Sequence, residues 1–164
     1  MSFPVTVITI SDRAAAGAYP DESGPLAQEL LRTAGFSAVD STIIPDEAAA
    51  IRDAIRLAHD AGARAIITTG GTGIGPRDIT PEVTAELAPK EIPGLMEQIR
   101  ARGRETSANA ALSRGRAAVL YADDLPPAFI INAPGSPGGV RDALAIISPL
   151  LVHIVAQLDG AAHD

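Results

Sequence analysis

The residues best suited to chemistry lie in four short loops, each of which follows a predicted β-strand. These loops are Ser11-Asp12-Arg13, Pro45-Asp46, the segment from Gly70 to Asp78, and Pro134-Gly135-Ser136-Pro137. Together they offer glycine-exposed backbone amides, carboxylates and guanidinium groups, which suit a phosphate ester and a metal ion. In an open parallel sheet, ligands bind beyond the carboxyl ends of the strands. The sequence therefore predicts that the four loops converge on one site.

The Gly70–Gly75 loop is the best candidate for a phosphate-binding segment. Glycine allows positive φ and close approach of N–H groups to phosphate oxygens, and the N-terminus of the helix that follows favours anions. The loop matches neither common nucleotide-binding motif. Lys90 is the only lysine in the chain, and a G-x-G-x-x-G count from Gly71 ends on Pro76. The same glycines could instead form only a tight turn from strand to helix.

Two aspartates in these loops are candidate metal ligands. Asp46 stands where a helix needs an N-cap, so capping and metal binding are both open. Asp78 comes two residues before the expected N-cap Thr80, so capping explains it poorly, although an Asx turn or an ion pair with Arg77 is an alternative. Magnesium typically takes one or two carboxylates and completes its shell with water and substrate phosphates. Asp46 and Asp78 together are therefore a candidate Mg²⁺ site.

Other polar groups near the loops leave more than one interpretation open. The segment from Pro134 to Gly139 could bind an anion before a helix, or could simply make a sharp turn. Guanidinium groups can hold phosphate through two parallel hydrogen bonds, although most surface arginines are only solvated. The arginines in or near the loops are Arg13, Arg77, Arg114 and Arg141. The three histidines, His59, His153 and His163, lie far apart, so a Ser-His-Asp arrangement is not expected.

Composition limits the class of protein. The chain has 164 residues, the size of one domain, with 46% hydrophobic and 20% charged residues, which is enough apolar surface for a folded core. Only 3% of the residues are aromatic, as is common where helices cover both faces of a parallel sheet. A formal charge of −7 without a basic run argues against a nucleic acid partner. The absence of cysteine excludes disulfides and thiolate-bound metals.

No membrane partner is expected, and the protein is expected to be soluble and cytoplasmic. The start Met-Ser-Phe-Pro lacks the basic segment of a signal peptide. The most apolar later stretch, Ala143 to Ala156, is short for a membrane span and is interrupted by Ser148, Pro149 and His153.

Hydrophobic periodicity predicts strands that alternate with helices. The predicted strands are Val5 to Ile10, Val39 to Ile44, Ala65 to Thr69, Phe129 to Asn132 and, with weaker support, Ala117 to Tyr121 before a turn from Ala122 to Pro127. The predicted helices are Ser23 to Ala34, Glu47 to Ala61, one beginning at Thr80-Pro81, pieces between Pro89 and Arg116, and Val140 to Leu158 with a kink or break at Pro149. This order predicts an α/β fold with a mostly parallel, doubly wound sheet.

A set of ordered motifs across nearly the whole chain resembles the MogA/MoaB family of molybdenum cofactor biosynthesis, whose module also occurs in gephyrin. The motifs are Ile10-Ser11-Asp12-Arg13, Asp21-Glu22-Ser23-Gly24-Pro25, Pro45-Asp46, Thr68-Thr69-Gly70-Gly71-Thr72-Gly73, Arg77-Asp78-Ile79-Thr80-Pro81-Glu82, Lys90-Glu91-Ile92-Pro93-Gly94, Leu112-Ser113-Arg114 and Pro134-Gly135-Ser136-Pro137. The resemblance implies one molybdopterin-binding domain over residues 1–164, with a three-layer αβα architecture.

The resemblance also implies a role for each group of residues. Asp46 and Asp78 correspond to the family's two catalytic aspartates, which would bind Mg²⁺. The nucleotide-binding residues would be Gly70, Gly71, Thr72 and Gly73. The substrate-binding residues would be Ser11, Arg13, Glu91, Ser113, Arg114, Pro134, Gly135 and Ser136, of which Ser113 and the Pro134–Pro137 loop would hold the pterin.

The implied activity is that of a molybdopterin adenylyltransferase, which joins AMP from Mg-ATP to the terminal phosphate of molybdopterin and releases pyrophosphate. The resemblance further implies a homotrimer, or alternatively a hexamer, and contact with other proteins of molybdenum cofactor biosynthesis. Two alternatives remain. One is a non-catalytic molybdopterin-binding or scaffold paralogue, against which the presence of both Asp46 and Asp78 argues. The other is the related metal-inserting domain, which normally sits in a longer chain.

Overall fold

A six-stranded sheet in the order β2-β1-β3-β6-β5-β4 forms the centre of the structure. The structure is a computed structural model that describes residues 3–161. His163 and the outer ends of the 1–164 domain therefore lie outside the described residues. The strands are β1 Val5–Ile10, β2 Val39–Ile44, β3 Ala65–Thr69, β4 Lys90–Glu91, β5 Ala117–Ala122 and β6 Leu125–Ala133.

Strands β1, β2, β3 and β6 run parallel, and their carboxyl ends are in register. Ile10 is paired with Ile44, Thr9 with Thr69, and Thr69 with Ala133. The four loops singled out in the sequence follow these strand ends and so emerge at one edge of the sheet, as predicted.

Helices cover both faces of the sheet, which confirms the three-layer αβα architecture. The helices are α1 Asp12–Ala15, α2 Ser23–Thr33, α3 Ala48–Asp60, α4 Thr80–Leu87, α5 Pro93–Arg104, α6 Pro137–Ile147, α7 Leu151–Leu158 and a 3₁₀ helix at Ala108–Leu112. Alternate residues of β1 point to opposite faces, as the pleat requires. Val7 packs in a core with α2, α5, α6 and α7. Ile8 packs in a second core with α3 and α4.

The turn predicted from Ala122 to Pro127 is shorter in the structure and is limited to Asp123 and Asp124. Strand β5 extends to Ala122, and β6 already begins at Leu125, which pairs with Ala122 in an antiparallel hairpin. Pro126 and Pro127 belong to β6 but precede Phe129, the residue at which pairing with β3 begins. Proline is tolerated there because no neighbouring strand needs its missing N–H on that side. The carbonyl oxygens of Pro126 and Pro127 accept hydrogen bonds from His59 and Arg64.

The break predicted at Pro149 is confirmed. Helix α6 ends before Pro149 and helix α7 begins after it, and the chain direction changes by 58° between the two helices. Within residues 3–161, no single helix is long and apolar enough to cross a membrane, and only this bent pair reaches the length and composition when its two members are taken together.

Candidate active site

A cavity of about 550 Å³ opens at the carboxyl edge of the sheet. One part of its lining is glycine-rich and comes from the loops after β3 and β6, at residues 70–74, 134–136 and 138–139, together with Asp78. The other part comes from the end of α5 and the 3₁₀ helix and includes Ser113. This volume is in the range of small-molecule binding sites.

The loop after β3 passes very close to its neighbours, and two glycines make that possible. Gly70 and Gly71 have φ values of 104° and 63°. A Cβ atom on Gly70 would overlap the carbonyl oxygen of Ile10. One on Gly71 would overlap the Thr80 hydroxyl and would lie 3.1 Å from Oδ1 of Asp46. The backbone of this loop therefore lies directly against the Asp46 carboxylate.

Thr80 does not cap helix α4, contrary to the sequence prediction. The helix begins at Thr80, with Ile79 in the N-cap position. The Thr80 side chain is buried and donates from Oγ1 to the carbonyl oxygen of Gly70, at 3.0 Å. The tight turn at Gly70 leaves that carbonyl in need of a partner, and Thr80 supplies it. Thr80 thus fixes the glycine loop.

Asp78 lines the cavity and is hydrogen-bonded within its own loop. Its Oδ2 accepts from the backbone N–H of Gly75 at 2.8 Å. The same oxygen would lie 2.8 Å from a Cβ on Gly73, so the loop wraps closely around the carboxylate. The alternative ion pair with Arg77 does not form, because Arg77 binds Asp12 instead.

Asp46 is bound to the loop after β1 and does not cap helix α3. The N-cap position of α3 is Glu47, without a side-chain capping bond. Oδ2 of Asp46 accepts from the backbone N–H of Asp12 at 2.8 Å, and the N–H of Asp46 donates to Oδ1 of Asp12 at 3.0 Å. Arg77 then holds Asp12 with two hydrogen bonds of 2.8 and 2.9 Å. Asp12 was predicted to lie in a candidate loop, but no catalytic or binding role was predicted for it.

The three neighbouring carboxylates of Asp12, Asp46 and Asp78 favour a bound cation. Burial raises the pKa of Asp46, and the negative charges of Asp12 and Asp78 raise it further, against the hydrogen bond from the Asp12 backbone. The hydrogen bond from Arg77 lowers the pKa of Asp12. Residues 3–161 contain no cluster of three or more histidine, cysteine or acidic residues arranged to hold a metal ion. Mg²⁺ needs only one or two carboxylates, so Asp46 and Asp78 fit it.

Arg114 supports the glycine loop from outside the cavity lining. Its Nε donates to the carbonyl oxygen of Gly73 and its Nη2 to that of Asp78, both at 2.6 Å. Its guanidinium also pairs with Glu82 and lowers the pKa of that carboxyl. The contacts place Arg114 as a brace that holds the loop carrying Asp78.

Ser113 is the polar group in the cavity wall that most clearly lacks a partner. Its Oγ is buried and has no hydrogen-bond partner among the described residues. Leaving a buried hydroxyl unpaired is costly, so a ligand that bonds to Ser113 would remove that cost. Arg100, Ser107, Asn109 and Asp142 also line the cavity. They lie on α5, at the start of the 3₁₀ helix and on α6, where no sequence motif marked them.

Three hydrogen bonds from neighbouring side chains and within the loop hold the loop after β6. Ser23 donates from Oγ to the carbonyl oxygen of Gly135 at 2.7 Å, and Thr69 donates to that of Pro134 at 2.9 Å. Ser136 caps α6, because its Oγ accepts from the N–H of Gly139 at 3.1 Å. Pro134, Gly135 and Ser136 all line the cavity.

Three predicted substrate-binding residues have other positions. Ser11 caps α1 and lines a second, smaller cavity. Arg13 lies over the ring of Tyr19, 4.5 Å from its centroid. Glu91 is on β4 and pairs with Arg116 at 2.9 Å.

The fold and this edge of the sheet define an α/β protein with a cavity suited to a phosphate-bearing ligand. Residues 6–153 match the family described as "Probable molybdopterin binding domain". The chain is 42% identical over 158 residues to a molybdenum cofactor biosynthesis bifunctional protein of Synechococcus elongatus, covering 96% of this chain and 48% of that protein. It is 34% identical over 143 residues to a molybdopterin adenylyltransferase of Haemophilus influenzae, covering 85% of this chain and 70% of that enzyme.

The solved structure of the molybdopterin biosynthesis enzyme MoaB from Thermus thermophilus superimposes with a TM-score of 0.84 at 38% identity. The match covers 99% of this chain and 100% of that one. This chain belongs to the molybdopterin-binding MogA/MoaB family. It spans about half the length of the bifunctional relatives that it matches.

Proposed function

We propose that this chain is a molybdopterin adenylyltransferase, which transfers AMP from ATP to the terminal phosphate of molybdopterin. The observation that carries the proposal is the glycine loop in the lining of the cavity, which packs against Asp46 at Gly71 and lies beside Asp78, another lining residue. The Haemophilus influenzae relative named for this activity supports it. In this proposal Asp46 and Asp78 are the catalytic residues.

The loops that line the cavity suggest how the substrates are divided. Gly70, Gly71, Thr72 and Gly73 offer backbone to the nucleotide phosphates. The pterin lies against Ser113 and the loop that carries Pro134, Gly135 and Ser136. The unpaired Ser113 hydroxyl supplies a hydrogen bond to a polar edge of the pterin. Arg114 is a positioning residue, since it bonds to the glycine loop.

The reaction needs positioning and charge neutralisation more than proton transfer. An oxygen of the molybdopterin phosphate attacks the α-phosphorus of ATP, and the bond from that phosphorus to the bridging oxygen breaks. The electron pair leaves with pyrophosphate. A phosphate monoester is already anionic near neutral pH, so no general base is required. The absence of a histidine among the residues lining the cavity fits this chemistry.

Mg²⁺ belongs to the same proposal, with Asp46 and Asp78 as the residues that would hold it. When bound, the ion would offset the negative charge of the triphosphate and of the leaving pyrophosphate. Asp12 and Arg77 would keep the Asp46 carboxylate oriented through the hydrogen bonds between the loops.

The assembly and location implied by the family are also proposals. We expect one catalytic domain per chain, a homotrimer or alternatively a hexamer, and a cytoplasmic reaction in contact with other proteins of molybdenum cofactor biosynthesis. Light scattering at micromolar concentration tests the assembly, and a monomeric mass would contradict it.

The decisive experiment mixes the protein with molybdopterin and Mg-ATP and measures pyrophosphate and adenylated pterin. Asp78→Asn is expected to lower turnover by about a hundredfold or more, because a charge-stabilising ligand is lost. Asp124→Asn, an exposed aspartate in the β5–β6 turn, is the matched control. Molybdopterin binding without product in the wild-type protein would replace the proposal with a non-catalytic binding role.

A further inference from the structure

Three polar side chains, Thr68, Thr84 and Asn132, are fully buried in the core between the sheet and helix α4. Thr68 on β3 is paired with Asn132 on β6, and Thr84 is on α4. The two strand residues share a face with the core residues Ile66 and Ile130, because side chains along a strand alternate between its faces. Burial of a polar group in such an apolar layer is costly unless the group is hydrogen-bonded. The polar atoms of these residues therefore have to bond within the protein.

The side-chain amide of Asn132 connects three separate parts of the chain. Its Nδ2 donates to Oγ1 of Thr68 at 3.0 Å and to Oγ1 of Thr84 at 2.9 Å. Its Oδ1 accepts from the backbone N–H of Arg116 at 3.1 Å. Both donors of the amide and its oxygen are thus used. One side chain therefore joins strand β3, helix α4 and the segment that enters β5.

Helix α4 follows directly after the loop that carries Asp78, and two buried threonines hold the helix in place. Thr80 and Thr84 are four residues apart, so they lie on the same face of the helix. Thr80 donates to the carbonyl oxygen of Gly70, and Thr84 accepts from Asn132 one turn later. The bond between Thr84 and Asn132 therefore fixes the direction in which α4 leaves the Asp78 loop.

The segment that enters β5 is the second support of the Asp78 loop. Arg114 donates from its guanidinium group to the carbonyl oxygens of Gly73 and Asp78. Arg116, two residues later, is bonded to Asn132 twice, because its carbonyl oxygen also accepts from the Asn132 backbone N–H at 2.8 Å. Asn132 thus holds both supports of the loop, α4 and the Arg114 segment, although its own side chain is fully buried.

We propose that Asn132 is a positioning residue for the reaction, which acts by holding α4 and Arg114 in the arrangement that places the Asp78 carboxylate. The inference rests on the proposed adenylyltransferase function and extends it. A displacement of about 1 Å at a reacting centre can lower turnover by about a hundredfold, so loosening of a support should be measurable in kcat. Thr68 belongs to the same network but leads only to β3, which backbone pairing holds between β1 and β6.

Two substitutions that preserve side-chain shape separate positioning from stability. Thr84→Val and Thr68→Val each remove the acceptor of one Asn132 N–H, and both sites are fully buried. The two variants should therefore show similar losses of Tm. Only Thr84→Val should lower kcat, by about tenfold, with an unchanged KM for molybdopterin. Asn132→Ala removes both bonds and should lower kcat at least as much. Equal kcat values in Thr84→Val and Thr68→Val would overturn the proposal.

Amide hydrogen exchange, followed by NMR in the full chain, tests the same arrangement without turnover. The backbone N–H of Thr80 is bonded to the glycine loop and reports on the first turn of α4. It should exchange about tenfold faster in Thr84→Val than in Thr68→Val, because only the former loosens the helix. Equal exchange would refute the role of Asn132 even if adenylated product forms. Faster exchange in Thr84→Val alone, in a protein whose wild type makes no product, would keep Asn132 as the residue that holds the loop and refute the transferase function.

Discussion

Replacing Gly71 with alanine should destabilise the protein by much more than the same change at a glycine in open space. Gly71 has φ of 63°, and alanine in that region costs about 1–2 kcal/mol. The new Cβ would also displace the hydroxyl of Thr80, which is buried and bonded to the carbonyl oxygen of Gly70. Losing that bond and leaving the groups unpaired costs about 1–3 kcal/mol more.

The expected total for Gly71→Ala is about 2–5 kcal/mol, which corresponds to a fall of roughly 6–15 °C in Tm for a chain of this size. Gly62 provides the control, because it has φ of 90° and no atom within 4 Å of its Cβ position. Gly62→Ala should therefore show only the backbone cost, roughly 3–6 °C.

Thermal unfolding and urea titration measure both variants, with turnover recorded in parallel. The variant Gly71→Ala/Thr80→Ala completes a double-mutant cycle. If the loss arises from the Cβ contact with the Thr80 hydroxyl, the two changes should be strongly non-additive. Equal Tm losses in Gly71→Ala and Gly62→Ala, or simple additivity in the cycle, would refute the close-approach explanation. Gly71→Ala should also lower turnover more than Gly62→Ala does, because the same Cβ presses on Asp46.

Three further predictions concern single side chains. The pKa of Asp46 is raised in the folded state, so ionisation of Asp46 destabilises the fold. In the absence of metal, Asp46→Asn should therefore become more stable relative to wild type as pH rises through that pKa. If the difference in free energy of unfolding between the two proteins, measured in urea, did not change with pH, the prediction would be wrong. Ser113→Ala should leave Tm unchanged and weaken molybdopterin binding about tenfold, because its unpaired hydroxyl supports no other residue; a large Tm loss with unchanged binding would show a structural role. Arg114→Met should lower the free energy of unfolding in urea by about 2 kcal/mol, because the bond to Gly73 is lost. Arg52→Met removes an exposed ion pair and should lower it by less than about 1 kcal/mol. Equal losses in the two variants would show that Arg114 does not stabilise the glycine loop.

Local patterns were enough to predict most of the sheet. Strands β1, β2 and β3 were predicted from their runs of β-branched residues, and the ends of α2 and α3 from the glycines that follow them. In these elements the tertiary contacts favour the same structure as the local sequence. Both strands of the β5–β6 hairpin were predicted, but β6 was predicted too short because Pro126 and Pro127 indicate a turn when read locally. Only the pairing of β6 beyond the end of β3 shows why prolines are tolerated there.

The sequence predicted which loops meet at the candidate site, but not which side chains bond to each other there. The strand ends indicated where Asp46 and Asp78 would lie, since parallel strands share a carboxyl edge. The bonds of Asp46 to Asp12, 34 residues away, and of Arg77 to Asp12, 65 residues away, depend on the packing of separate loops. Local rules therefore suggested a cap at Asp46 and a neighbouring partner for Arg77, and the folded protein uses both residues between loops instead.

The division of the main cavity into a backbone wall and a side-chain wall determines where its specificity can be altered. Gly70, Gly71 and Gly135 leave no room for a side chain without displacing neighbours, so that wall is closed to redesign. Asn109 and Ser107 lie on the other wall, where a change of side chain alters shape and polarity while the sheet edge stays intact. A ligand that contacts only the glycine wall meets mainly backbone atoms, whereas one that also reaches Asn109 meets a side chain that substitution can change.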